Sequence, residues 1–199
     1  MKTYKVILLL TILVLSCKNE TKIVVENNKP KAVKKETSPV TNKTPKGTFL
    51  CNINGEVWSY TKASGIVSRH KKTQKRTAII TFTKQLEKGK ESVQLFYDGD
   101  SNVLEEVTAI LKTPKRVGGN MSAMYQLKIK GGKRLPESKI TGTLDLSNPT
   151  ASGTAEVSNM EIRFEENQLA DQTMATISLT PFSFSSVGYS DAEKLFGTK

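Results

Sequence analysis

Soft metal ligands are almost missing from this sequence. His70 is the only histidine, and Cys17 and Cys51 are the only cysteines, fewer than the four nitrogen and sulfur ligands of a structural zinc site. No glycine-rich phosphate loop, dinucleotide-binding fingerprint or Gly-x-Ser-x-Gly element occurs, so nucleotide-dependent and serine-hydrolase chemistry have no local signature. No cofactor is expected. Long apolar runs are missing too: the one sustained run, residues 6–15, is about half of the roughly 20 residues a helix needs to cross a bilayer.

That run reads instead as part of an export signal. Lys2 and Lys5 precede it and the small residue Ser16 follows it, the order of a basic n-region, apolar h-region and cleavage site. A signal removed without further modification is the competing reading. The tetrapeptide Val14-Leu15-Ser16-Cys17 resembles the lipobox of bacterial lipoproteins, and the resemblance implies cleavage before Cys17 and acylation of that cysteine, with a membrane as its partner. Each buried acyl CH₂ contributes about 0.8 kcal/mol, so several chains on one residue hold a domain at a bilayer. With Cys17 acylated, Cys51 has no disulfide partner, and the domain depends on its own core.

The net charge of +11 suggests nucleic acid until it is divided along the chain. Residues 18–47 hold eight lysines against Glu20, Glu26 and Glu36, whereas 48–199 hold 20 basic and 16 acidic residues. The excess therefore sits mainly in the segment before residue 48, and no nucleic-acid partner is expected. That segment contains Pro30, Pro39 and Pro45 and no aromatic residue. It cannot bury enough apolar area to offset the entropy of ordering it, which predicts a disordered, self-repelling tether. Its lysines either attract anionic headgroups, at about 1 kcal/mol each near the surface, or keep the linker soluble. The organisation expected is a signal at 1–16, a lipidated cysteine and tether at 17–47, and a β-rich domain at 48–199.

From Thr48 onward short β-type runs alternate with turn residues. Asn54-Gly55 between two alternating runs predicts a type I′ hairpin, because both central positions need positive φ. In that register Cys51 faces Trp58 and Phe49 faces Tyr60, and these four share a core face. Further strands are expected at 77–83, 92–97, 103–112, 123–130, 139–146, 153–165 and 173–184, rich in Val, Ile, Thr, Phe and Tyr. The stretch 101–112 also fits the start of a helix, with Leu104, Thr108 and Leu111 on one face; the strand reading is adopted. Ser190 is the expected N-cap of a short terminal helix that ends at Gly197. Eight or nine strands without interleaved helices predict an all-β, antiparallel sandwich or barrel.

Candidates for chemistry are few. Arg69, His70, Lys71, Lys72, Lys75 and Arg76 form a basic run that suits an acidic ligand or is simply a solvated loop. Asp98-Gly99-Asp100-Ser101-Asn102 begins like a calcium loop, but Val103 stands where glycine is needed and Ala109 where a bidentate glutamate is needed, so a turn explains it better. Glu105-Glu106 and Glu165-Glu166 offer carboxylates, yet neighbours on a strand face opposite ways. Cys51 reads as a small buried hydrophobe rather than a nucleophile. No residue is assigned a catalytic role.

The lipobox, the lysine-rich tether and the segment Phe49-x-Cys51-x-Ile53-Asn54-Gly55-x-x-Trp58 together resemble a group of envelope lipoproteins from Bacteroidota, many of which open a small β-rich domain with such a hairpin. The resemblance implies a cell-envelope protein, lipid-anchored and on the outer membrane. Lys18-Asn19-Glu20 only partly resembles a surface-export stretch, which leaves periplasmic and surface exposure open. The expected function is non-catalytic binding of an envelope protein, glycan or lipid. The alternative is a carrier of a small apolar ligand or lipid in a barrel pocket, for which Trp58, Phe82 and Phe96 would be the lining.

Overall fold

The computed structural model describes residues 47–131 and 134–197. The signal segment, Cys17 and the tether up to residue 46 lie outside the described residues. The strands are β1 (Thr48–Ile53), β2 (Glu56–Tyr60), β3 (Lys62–Arg69), β4 (Arg76–Gln85), β5 (Lys90–Asp98) and β6 (Leu104–Pro114). They continue with β7 (Asn120–Lys128), β8 (Lys139–Thr141), β9 (Leu144–Asp145), β10 (Thr150–Ile162) and β11 (Thr176–Asp191). Two short 3-10 turns, Glu166–Gln168 and Gln172–Ala175, precede β11, and one helical turn, α1 (Ala192–Phe196), follows it.

All eleven strands belong to one sheet, and the pairing of β10 with β11 closes part of it into a ring running β3–β4–β5–β6–β7–β10–β11 and back to β3. The all-β fold, expected as a sandwich or barrel, is thus present. One seam departs from the antiparallel expectation: β11 runs parallel to β3, with Tyr189 opposite Gly65 and Asp191 opposite Val67. A Cβ at Gly65 would lie 2.7 Å from Tyr189 Cβ and 2.9 Å from Ile80 Cδ1, so the close approach at this seam requires glycine. The β1–β2 hairpin takes up another stretch of β11, at Ile53 opposite Leu179, while β8 and β9 extend β10.

Alternation decides what fills the ring. Glu91, Val93, Leu95 and Tyr97 on β5, and Met121, Ala123, Tyr125 and Leu127 on β7, point inward and are buried, with intervening residues outside, as a period of two requires. Ala78, Ile80 and Phe82 on β4 do the same. The two interior tyrosines reach backbone acceptors, Tyr97 Oη donating to Thr154 O at 2.9 Å and Tyr125 Oη to Met174 O at 2.8 Å, so neither hydroxyl is buried unpaired. Burial pushes both phenols up, Tyr97 being the more enclosed.

Several local expectations change in the structure. Asn54 and Gly55 both have positive φ, 49° and 88°, and Cys51 faces Trp58 as expected. A bulge then places Phe49 opposite Ser59 and Thr48 opposite Tyr60. Leu50 therefore turns into the core, and Phe49 is 58% exposed rather than on the core face. Residues 104–114 form a strand, as the adopted reading of 103–112 expects. A second bulge, opposite Phe96 and Tyr97, turns both Glu105 and Glu106 away from the core, so the expectation that they face opposite ways does not hold. The cap of α1 is Asp191, not Ser190: its Oδ1 accepts from Glu193 N at 3.0 Å and Lys194 N at 3.4 Å.

Candidate functional site

β2 and β3 are nearly one run, interrupted at Thr61. Thr61 N donates to Thr83 O at 2.8 Å, and from that point β3 pairs with β4 along its full length, whereas β2 turns away and pairs with β1. The sheet therefore splits, and a cleft of about 570 Å³ opens between β2, the ends of β4, β5 and β6, and the turn around Thr173. Asn54 fixes the near wall. Its Nδ2 donates to Thr176 O at 3.1 Å, and its Oδ1 accepts from Ser178 N at 2.8 Å, pinning the hairpin tip to β11.

The inner wall is polar and buried. Trp58 Nε1 donates to Glu91 Oε2 at 3.0 Å, Lys112 N donates to Glu91 Oε1 at 3.1 Å, and Lys84 Nζ lies 3.3 Å from Oε2. A carboxylate taken out of water needs such partners, and the indole N–H of a tryptophan 4% exposed needs an acceptor in return. Each side chain thus solves the other's burial. Beside them Thr113, 3% exposed, lines the same cleft, and its Oγ1 is buried with no hydrogen-bond partner. At the rim stand Glu56 and Asp171. Hydrogen bonds from Thr173, Oγ1 at 2.7 Å and N at 2.9 Å, hold the Asp171 carboxyl below the usual carboxylate range.

The basic run falls elsewhere, on the β3–β4 hairpin. Arg69 Nε and Arg76 Nε hold the two oxygens of Glu193 at 2.7 and 2.9 Å. Arg76 also reaches Asp191 at 3.2 Å and Arg69 reaches Asp100 at 3.3 Å, while Lys75 pairs with Glu105. Three of the five cations in the run are thus engaged within the chain, and the two arginines lock α1 to the hairpin. His70, Lys71 and Lys72 are exposed, and His70 Nδ1 accepts from Thr73 N at 3.2 Å.

The other candidates fall apart spatially. Asp98 Oδ1 accepts from Ser101 N and Asp100 N at 2.8 and 3.0 Å, the geometry of an Asx turn. Glu106 pairs with Lys128 at 3.0 Å. Cys51 is 1% exposed, and burial pushes its thiol up to about 12, which makes it inert. Phe82 packs in the core against Tyr60 and Phe184, at centroid distances of 5.0 and 5.4 Å. Phe96 lies in an outer-surface depression with Lys75 and Lys128. Trp58, Phe82 and Phe96 therefore share no pocket. Among the described residues no group of three or more His, Cys, Asp and Glu is placed to hold a metal, and no helix is long and apolar enough to cross a membrane.

The chain matches no protein-family model, no curated protein and no solved structure.

Glu91 and Thr113 were not singled out by the sequence reading, although a signal was there. Carrying the alternation of Val93, Leu95 and Tyr97 back one step puts Glu91 inside, and carrying Leu111 forward does the same for Thr113. A charged or hydroxyl residue on an inward register is the mark.

The depressed carboxyls give a pH prediction. Asp98 is lowered chiefly by the Ser101 N–H, Glu156 by Lys139 and Asp171 by Thr173. A folded-state value below the unfolded one adds stability that is complete above the ordinary carboxylate range and is lost as pH falls through the folded value. The urea midpoint is expected to hold between pH 7 and about 5 and to fall below about pH 4. A midpoint unchanged down to about pH 3 would contradict these assignments.

Proposed function

We propose that the chain is a lipid-anchored envelope protein whose β-domain is a non-catalytic binding module, and that it engages its partner at the cleft where the sheet splits. The cleft carries this reading. Its walls come from strands of the ring and from a hairpin tip pinned to β11, so its shape exists before any ligand arrives. Its buried carboxylate is fully occupied by Trp58, Lys84 and the Lys112 amide, which suits a fixed recognition surface. The anchor rests on the signal and lipobox pattern ending at Cys17. Tethering at a membrane raises the concentration of the domain near envelope partners, so modest intrinsic affinity suffices.

The test places a photo-crosslinking side chain at position 57, 68% exposed on the cleft rim, and for comparison at position 195 on α1. In intact cells a discrete crosslinked species is expected from position 57 and not from 195. Cys17→Ser is expected to move the protein from the membrane to the soluble fraction and to weaken that crosslink. A Cys17→Ser protein that fractionates like wild type would remove the anchor, and equal crosslinking from both positions would remove the cleft as the site.

A further inference from the structure

We infer that the domain seats one corner on an anionic lipid bilayer: the β3–β4 turn and α1, where unpaired lysines flank Leu195 and Phe196. The inference goes beyond the cleft and rests on the anchored reading only for what brings the bilayer near. It starts from exposure that packing does not explain. Leu195 and Phe196 are 65% and 78% exposed on a single helical turn. One apolar side chain in water needs no explanation, whereas adjoining ones mark a contact surface.

Charge decides what that surface meets. The carboxylates around it are already taken: Glu193, Asp191, Asp100 and Glu105 by Arg69, Arg76 and Lys75. Asp98 is tied into its own turn. Lys71, Lys72 and Lys194 are exposed and pair with no acid among the described residues. Lys71 and Phe196 border one depression of about 490 Å³, so positive charge and apolar surface adjoin. Val103 and Ile129, 43% and 36% exposed, stand at the same end of the ring, before β6 and after β7. A bilayer with anionic headgroups offers both complements at once, phosphates for the lysines and acyl chains for the apolar pair. A rigid acidic partner would have to shape a pocket around a protruding phenylalanine. A fluid surface accepts it as it stands.

Length and position agree with this. Gly47 lies beside Ser59 and Tyr60, where a Cβ on it would be 3.1 Å from Ser59 Cβ and Tyr60 O, so the chain enters the domain near the start of β3. From there the eight residues of β3 cover about 26 Å to the corner, at roughly 3.3 Å each. The 30 residues from Cys17 through residue 46 reach about 30 Å on random-coil scaling. An acyl group on Cys17 and the seated corner therefore fit one bilayer. The cleft lies at the other end of β4, by Lys84, and this seating turns it away from the lipid.

A nitroxide label tests the seating by its access to oxygen, which concentrates in lipid, against a water-borne nickel chelate. Cys51 is 1% exposed, so Leu195→Cys or Val57→Cys takes the label alone once Cys17 is acylated. Lipidated protein is reconstituted in vesicles of phosphatidylethanolamine and phosphatidylglycerol. The label at 195 is expected in the lipid and the label at 57 in water. Lys71→Gln with Lys72→Gln, both at exposed positions, is expected to lower the ratio of seated to lifted domain about 25-fold, about fivefold for each lysine. The urea midpoint should not change, and vesicles of phosphatidylcholine alone should lift the domain as well. A label at 195 that stays in water, equal immersion at 195 and 57, or immersion indifferent to these charges overturns the seating, while the anchor stands if the protein remains on the vesicles. Should Cys17→Ser remove the anchor, the Cys17→Ser chain with the same labels is added to the vesicles from solution. Immersion at 195 then upholds the seating without the anchor, and its absence ends both. A discrete protein crosslink from position 195 in cells gives the corner to an acidic protein and overturns the lipid assignment.

Discussion

Trp58→Ala is expected to lower the stability of the domain by about 3–5 kcal/mol, the range for truncating a large buried aromatic. Two losses combine. The indole is 4% exposed, so its removal leaves a cavity where the sheet splits and forfeits the packing of a large buried ring. Its Nε1 is also one of three groups holding Glu91, and a buried carboxylate deprived of a donor carries an added penalty. Trp58→Phe separates the two, because it restores most of the volume but not the donor. It should cost about 1–3 kcal/mol, the share belonging to the hydrogen bond. Both are read from urea midpoints by far-ultraviolet circular dichroism, since the fluorescent reporter is the residue removed. If Trp58→Phe matches wild type, the bond to Glu91 contributes nothing net and packing alone explains the site.

Gly142→Ala is expected to be nearly as damaging although it adds one methyl group. A Cβ there would lie 2.3 Å from Thr154 O and 3.2 Å from Ala155 Cα, both backbone atoms of β10 with no rotamer through which to yield. The segment must move away from β10, where Thr141 faces Glu156 and Leu144 faces Gly153. The carbonyl it strikes is the one that accepts from Tyr97 Oη, so displacement also threatens the partner of a hydroxyl buried in the ring. Overpacking of this kind costs about 3 kcal/mol. Gly188→Ala is the control: its added Cβ meets nothing within 4 Å, and narrowing the unfolded chain should leave stability unchanged or raise it by about 0.4–1 kcal/mol. Amide exchange in β8 and β9 should accelerate in the first variant and not in the second. Equal behaviour of the two would mean that contact with β10 is not what requires glycine at 142.

How much of this was legible before the structure depends on the element. Strands whose inner face is Val, Leu, Ile, Tyr or Phe stood out, as in β5 and β7, because period-two patterning and the core face coincide. β3 did not. Its inward register carries Ala63 and Gly65 before Val67, while Ile66 is 46% exposed, so hydrophobicity points the wrong way along a strand whose small residues are required by the crossing of β11. The second half of β11 was missed because Ser185 and Ser186 break the pattern, with Ser186 at φ 60°. The bulge at Leu50 shows a related limit. The Asn54-Gly55 turn sets the register near itself, but one inserted residue further along reverses every face beyond it.

The site was less legible than the fold, for a different reason. Trp58 announced a buried donor, yet its acceptor lies 33 residues on, and only the divergence of β2 from β4 brings the two together. The basic run was conspicuous in sequence because five cations and the single histidine crowd into eight residues. In the fold Glu193, Asp191, Asp100 and Glu105 come from distant segments to pair with three of the five. Charge clusters are read locally; their partners are not.

The ring is closed by β11, which follows all of the ring's other strands in the chain. Until it arrives, β10 and β3 both present unpaired edges, and so does β1 beside its hairpin. Bare edges of this kind recruit other chains, and late, non-local pairing is slow. A polypeptide emerging from its amino end can assemble the β3–β7 meander early, but it has no means of sealing that meander on its own. A chain cut between β10 and β11 would therefore be a sticky, half-built cylinder rather than a shorter working one.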